Sequence, residues 1–205
     1  MQIVIVEGPR RVGKTTFIHN KANEENIRAY KENSFPNIRK FLFEDKEALV
    51  GEIPHEYFVM KDLSILEMIF SNLVSGPLMI DRLFVSSIVY GVIHRGVNLS
   101  KEIDRYKRII DHLSSLSGMN PLSIQTIIYC DPDKQDISQS LLTERSERSI
   151  DDLSLFRDTQ ESISIENDLF MKVSYAFSSM IPVRFISSFW SLAKSPEEGE
   201  ISCVE

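Results

Sequence analysis

Eight consecutive residues restrict this chain more than any others: Gly8-Pro-Arg-Arg-Val-Gly13-Lys14-Thr15. They follow the spacing G-x-x-x-x-G-K-[ST], which has chemical meaning only where a strand ends at the first glycine and a helix begins after the second. Both conditions are met in the sequence. Ile3 to Val6 is a β-branched run, and Lys14 to about Asn23 reads as helix. In that setting the backbone N–H groups of the loop converge on an anion. The helix adds the positive end of its dipole to the same point. Lys14 then stands as a point charge at the β- and γ-phosphates. The Thr15 hydroxyl suits Mg²⁺, a hard cation that takes oxygen ligands. The expectation is a phosphate loop for Mg·ATP formed by Gly8, Pro9, Arg10, Arg11, Val12, Gly13, Lys14, Thr15 and Thr16.

The remainder of the chain alternates strand and helix signals. Ile27 to Lys31 is a weaker strand candidate, and residues 37–50 are ambiguous. Between Pro54 and Val74 the apolar residues Val59, Leu63, Leu66, Phe70 and Leu73 recur at helical spacing, until Gly76-Pro77 stops them. Leu78-Met-Ile-Asp81 reads as a buried strand ending in a carboxylate, followed by a helical pattern from Leu83 to Tyr90 and on towards Gly96. Ser100 is placed to cap the next helix, whose apolar face is Ile103, Tyr106, Ile110, Leu113 and Leu116. Ile124 to Cys130 and Val183 to Ile186 are further strands. Leu153, Phe156, Ile163, Phe170, Val173 and Phe177 mark a long helix between them. Such alternation predicts an α/β fold with a parallel sheet. No internal repeat or linker divides it, so residues 1–193 form one expected domain. Residues 194–205 form an acidic, loosely held tail.

Composition narrows the function classes. The 205 residues suffice for one large core. A net charge of -7 disfavours duplex nucleic acid as a partner, since phosphate-gripping proteins usually carry a basic excess. Cys130 and Cys203 fit no zinc spacing and read as reduced thiols in a cytoplasmic protein. No apolar run reaches the length of a membrane span. His19, His55, His94 and His112 are scattered and read as surface or satisfied core residues.

Two further segments complement the loop. Asp81 lies at the carboxyl end of a buried strand, the edge where α/β sheets bind ligands, and there it can serve Mg²⁺. Arg82 beside it can clamp a second phosphate through its bidentate fork. Arg145 and Arg148 lie in the charged segment 133–152. They can close over ATP as a lid and neutralise charge on the transferred phosphoryl group, or they can belong to a solvated helix face.

With these residues in view, the sequence resembles the thymidylate kinase and deoxynucleoside kinase superfamily, a phage-type member among them. Glu7-Gly8 to Thr16 is similar to its phosphate loop. Met79-Ile-Asp81-Arg82, with Ser87 and Tyr90, is similar to its Asp-Arg segment and the helix that follows. Tyr129-Cys-Asp-Pro132 to Arg148 is similar to the strand leading into its arginine-bearing lid. The resemblance implies a five-stranded parallel sheet with helices on both faces, ATP as donor, a small nucleotide or nucleoside as acceptor, and a homodimer. It also implies catalytic roles for Lys14, Arg11, Asp81, Arg82, Arg145 and Arg148, Mg²⁺ held at Thr15 and Asp81, and an acceptor site of Glu32, Lys61, Asp62, Arg82 and Tyr90.

Departures from the pattern fall at Arg10, in the stretch Tyr30-Lys-Glu-Asn-Ser-Phe-Pro36 and at Lys61-Asp62. Arg10 stands where thymidylate kinases usually carry an acidic residue. Glu32 falls near the glutamate that nucleoside kinases use as a base. Lys61-Asp62 replaces the usual Asp-Arg order on the base-reading helix. The leading expectation is a deoxynucleoside monophosphate kinase. Its alternatives are a deoxynucleoside kinase, a kinase acting on a modified base in nucleic acid, and a nucleotide-binding regulator without turnover.

Overall fold

A computed structural model of the chain describes residues 3–9, 14–30, 53–129 and 160–186. Its core is a five-stranded parallel sheet. The strands are β1 (Ile3–Glu7), β2 (Arg28–Tyr30), β3 (Leu78–Asp81), β4 (Ile124–Tyr129) and β5 (Val183–Ile186), in the order β2-β3-β1-β4-β5. The described helices are α1 (Lys14–Glu25), α2 (His55–Phe70), α3 (Phe84–Arg95), α4 (Leu99–Ser117) and α5 (Gln160–Phe177).

Period-two alternation explains the layering. Ile3 and Ile5 of β1, with Leu78 and Ile80 of β3, face a large core shared with α2, α3, α4 and α5. Val4, Val6 and Met79 point the other way and meet Phe17 and Ile18 of α1, together with Ile186. Helices therefore cover both faces, and every residue of β1 and β3 is buried. That explains why these strands read as apolar runs rather than alternating ones.

The order of the strands also locates the site. From β1 the chain crosses to β2 at one edge, and β3 then inserts between them, while β4 lies on the other side of β1. Val6 pairs with Asp81, so the carboxyl ends of β1 and β3 finish side by side. The residues following each strand are thereby delivered to one point, where the crossovers diverge.

Several local expectations are corrected. The N-cap of α4 is Asn98, whose side chain accepts from the Lys101 amide, rather than Ser100, which lies within the helix. The buried face of α2 is His55, Phe58, Val59, Asp62, Ile65, Leu66, Ile69 and Phe70. Leu63 is only partly covered and Leu73 is exposed, because α2 ends at Phe70 and Asn72 turns the chain with a φ of 53°. On α4 the stripe is sealed only at its centre: Tyr106 and Ile110 are buried, whereas Leu116 is exposed in the last turn. Residues 37–50, the proposed lid 133–152, the positions Leu153 and Phe156, and the tail 194–205 lie outside the described residues. Among the described residues no helix is long and apolar enough to cross a membrane.

Candidate active site

The site begins where β1 ends. Gly8 has a φ of 134°, a conformation that L side chains rarely adopt, so glycine is required to turn the chain off the strand. Lys14 opens α1 and is buried, and its Nζ donates to the Pro9 carbonyl at 2.5 Å. Burial pushes the Lys14 pKa well below the usual lysine range, and Arg82 pushes it the same way; Asp81, Glu166 and Glu7 oppose them. A cation held this far from water, donating to a loop carbonyl among the described residues, is disposed to accept an anion in its place.

The Thr15 hydroxyl donates to Asp81 Oδ2 at 2.7 Å, joining the first turn of α1 to the end of β3. Asp81 is buried, and its Oδ1 has no hydrogen-bond partner among the described residues. A hydroxyl beside a carboxylate with an unused oxygen fits a hard divalent cation that takes most of its remaining ligands from phosphate and water. Thr16, next on α1, is exposed.

Arg82 follows directly, with a φ of 66°. For a residue with a Cβ, this left-handed conformation costs about 1–2 kcal/mol. Its amide donates to the Val6 carbonyl at 3.1 Å. Its guanidinium carbon lies 5.2 Å from the centre of the Tyr90 ring, within cation–π range. The Tyr90 hydroxyl in turn donates to Glu166 Oε1 at 2.5 Å, and the ring stacks on His94 and meets Phe170 edge-on. Arg82 and Tyr90 are thus organised as one unit, backed by α5.

Lys61 and Asp62 divide. Lys61 is partly exposed, with its Nζ 3.4 Å from Asp62 Oδ1. Asp62 is fully buried and accepts from the Tyr106 hydroxyl at 2.8 Å. Burial raises its pKa, with Lys61, Ser87 and Tyr106 acting against the rise. Its carboxyl is thus held within the core, against Tyr106 and Lys61. Arg10, Arg11, Val12, Gly13, Glu32, Arg145 and Arg148 lie outside the described residues.

Two residues of this cluster escaped the sequence reading. Glu7 is fully buried at the end of β1, where it accepts from the amides of Leu83 (2.9 Å) and Ser86 (3.2 Å) and from the Ser86 hydroxyl. Burial raises its pKa from 4.5 to about 7 and Asp62 adds to the rise, while Ser86, Leu83 and Arg82 oppose it. Glu166 is buried on α5. Both carried a signal. Glu7 ends an otherwise apolar strand, and Glu166 falls in helical phase with Ile163, Phe170, Val173 and Phe177. Acidic residues at such positions rarely go inside unless paired.

Parallel strands in this order, with a phosphate-loop sequence after β1 and an Asp-Arg step after the adjacent strand, define a P-loop α/β architecture. No protein-family model and no curated protein matches the sequence. Solved structures share the fold. Deoxyadenosine kinase from M. mycoides, with bound dCTP, is 12% identical with a TM-score of 0.55, and the match covers 92% of this chain and 91% of that one. The YorR protein from Bacillus subtilis, in complex with phosphorylated GDP, is 16% identical with a TM-score of 0.52, over 92% and 86%. Thymidylate kinase from Candida albicans is 17% identical with a TM-score of 0.50, over 90% and 83%. The fold is therefore that of the P-loop nucleotide and nucleoside kinases.

Proposed function

We propose that this chain transfers the γ-phosphoryl group of ATP to a deoxynucleoside monophosphate. The observation that carries the reading is the meeting of Lys14, Thr15, Asp81 and Arg82 at the adjoining ends of β1 and β3. Residues 8–16 hold the donor phosphates, and Lys14 exchanges the Pro9 carbonyl for phosphate oxygen. Thr15 and Asp81 are the residues that would hold Mg²⁺, which when bound neutralises charge on the donor phosphates. Arg82 binds the acceptor phosphate while Tyr90 sets the direction of its guanidinium. Lys61 and Glu32 line the acceptor side, and Arg11, Arg145 and Arg148 close on the donor.

A monophosphate acceptor needs no strong general base, because its attacking oxygen is already ionised. Catalysis is then alignment and neutralisation of charge. Two cations, Lys14 and Arg82, close enough to depress the ionisation of one, suit a site that receives two phosphate chains end to end.

The test is a panel of deoxynucleoside monophosphates, nucleosides and oligonucleotides with γ-labelled ATP. Label should pass to one or more monophosphates. Replacing Arg82 with Ala should lower kcat/KM for that acceptor by on the order of 2 kcal/mol, or roughly thirtyfold. Turnover of nucleosides alone, with every monophosphate ignored, would reject the reading.

A further inference from the structure

We infer that Glu7 is a positioning residue for Arg82, clamping the backbone on which that guanidinium is presented to the acceptor. The inference rests on the role proposed above for Arg82. Helix α3 lacks a side-chain cap from its own N-cap residue, Leu83. The cap comes instead from β1: the Glu7 carboxylate takes the Leu83 amide on Oε1, and the Ser86 amide and hydroxyl on Oε2. A carboxylate at that end of a helix is favoured by the dipole. A local Ser or Asp at position 83 would have capped α3 just as well. A cap supplied from β1 does something a local one cannot: it fixes α3 relative to the strand that leads into the phosphate loop.

Arg82 lies between the two attachments. Its own amide is held by the Val6 carbonyl and the following amide by Glu7, so consecutive residues of β1 grip both sides of it. A left-handed arginine persists only where its surroundings over-determine it, and these two bonds do so. The charged groups around Glu7 are Arg82 after β3, Asp62 on α2 and Lys14 on α1.

The experiment is Glu7→Gln, which keeps the size but offers one accepting oxygen, so that its amide NH₂ confronts an N–H donor. At about pH 8, where Glu7 is mostly ionised, kcat/KM for the monophosphate should fall roughly tenfold or more through misplacement of Arg82, with KM for ATP within about twofold of wild type. Combining the change with Arg82→Ala should cost little beyond Arg82→Ala alone. Ser86→Ala removes only the hydroxyl contact and should move the same parameter by less. A KM for ATP that rises in step with the acceptor effect, or losses that multiply in the double variant, would overturn the inference. Hydrogen exchange on ligand-free protein gives a readout independent of turnover. The Leu83 and Ser86 amides should exchange faster in Glu7→Gln while those of β1 and β4 do not; unchanged exchange also overturns it. Wild-type protein that accepts no monophosphate would refute the functional reading while the exchange result still decides the clamp.

Discussion

The buried carboxyl of Glu7 makes a quantitative demand on stability. Its pKa rises from 4.5 to about 7 on folding, chiefly through burial. Below pH 4.5 both folded and unfolded chains hold the proton, and Glu7 contributes no pH dependence. Between 4.5 and 7 the unfolded chain has released it while the folded chain retains it, so stability falls as pH rises. Above 7 both are ionised and the loss levels off. At about 1.4 kcal/mol per unit, the full loss is about 3 kcal/mol. Glu7→Gln removes the titration, and most other ionisable groups cancel in the comparison; Asp62 and Arg82 do not cancel fully, because both act on Glu7 directly. Urea unfolding of the two proteins at several pH values is the assay. Relative to the variant, the wild type should lose about 3 kcal/mol between about pH 4 and pH 8, most steeply near the middle of that range. A difference that stays flat, or that runs the other way, would refute the claim that Glu7 is a carboxyl neutral in the folded state at mildly acidic pH.

Lys14→Met should lower kcat by roughly a hundredfold or more with the unfolding midpoint unchanged or raised, since a buried ammonium is removed; wild-type turnover would dissociate residues 8–16 from catalysis. Thr15→Val should raise the Mg²⁺ concentration needed for half-maximal activity, read from a metal titration, because one of two adjoining protein oxygens is lost. A Cβ on Gly91 would sit 2.6 Å from His55 Cε1 and 2.9 Å from Val97 Cγ2. Gly91→Ala should therefore destabilise by about 1–2 kcal/mol despite its better helix propensity, as urea midpoints will show. Arg145→Ala and Arg148→Ala should each lower kcat more than they raise KM for ATP if the pair acts on the transferring group; steady-state kinetics with equal rates would return the segment to a solvated helix face.

The fold was legible wherever one physical signal dominated. Ile3–Val6 and Leu78–Asp81 are buried on both faces, so an apolar run of strand length was enough to find them. Gly96 and Gly118 end α3 and α4 in left-handed conformations, and each could be read as a stop. Legibility failed at boundaries. Asn98 and Ser100 are both plausible caps, and only backbone geometry distinguishes them. Leu73 continues the spacing of α2, but spacing cannot report that the helix has already ended and the chain has turned.

The site was half legible for a more instructive reason. Its loop after β1 is coded by adjacency, because a phosphate-loop sequence needs its glycines, lysine and threonine at fixed offsets. Its supporting side is coded by exceptions to the apolar pattern. Glu7 occupies a strand position facing the interior, Asp62 lies in phase with Phe58, Val59, Leu66 and Ile69, and Glu166 with Phe170 and Val173. Read along the chain, each looks like a gap in a hydrophobic stripe. In space each meets a partner from a distant element: Glu7 the start of α3, Asp62 the Tyr106 hydroxyl, Glu166 the Tyr90 hydroxyl. A buried carboxyl without such a partner would cost several kcal/mol. An acidic residue on an apolar stripe therefore implies that a donor exists elsewhere, even though the sequence cannot say where. In this chain the implied donors lie on α3 and α4, the helices packed beside Arg82 and Asp62. The breaks in hydrophobic pattern thus mark where buried carboxyls tie distant elements together around Arg82, as Gly8 marks the turn off β1.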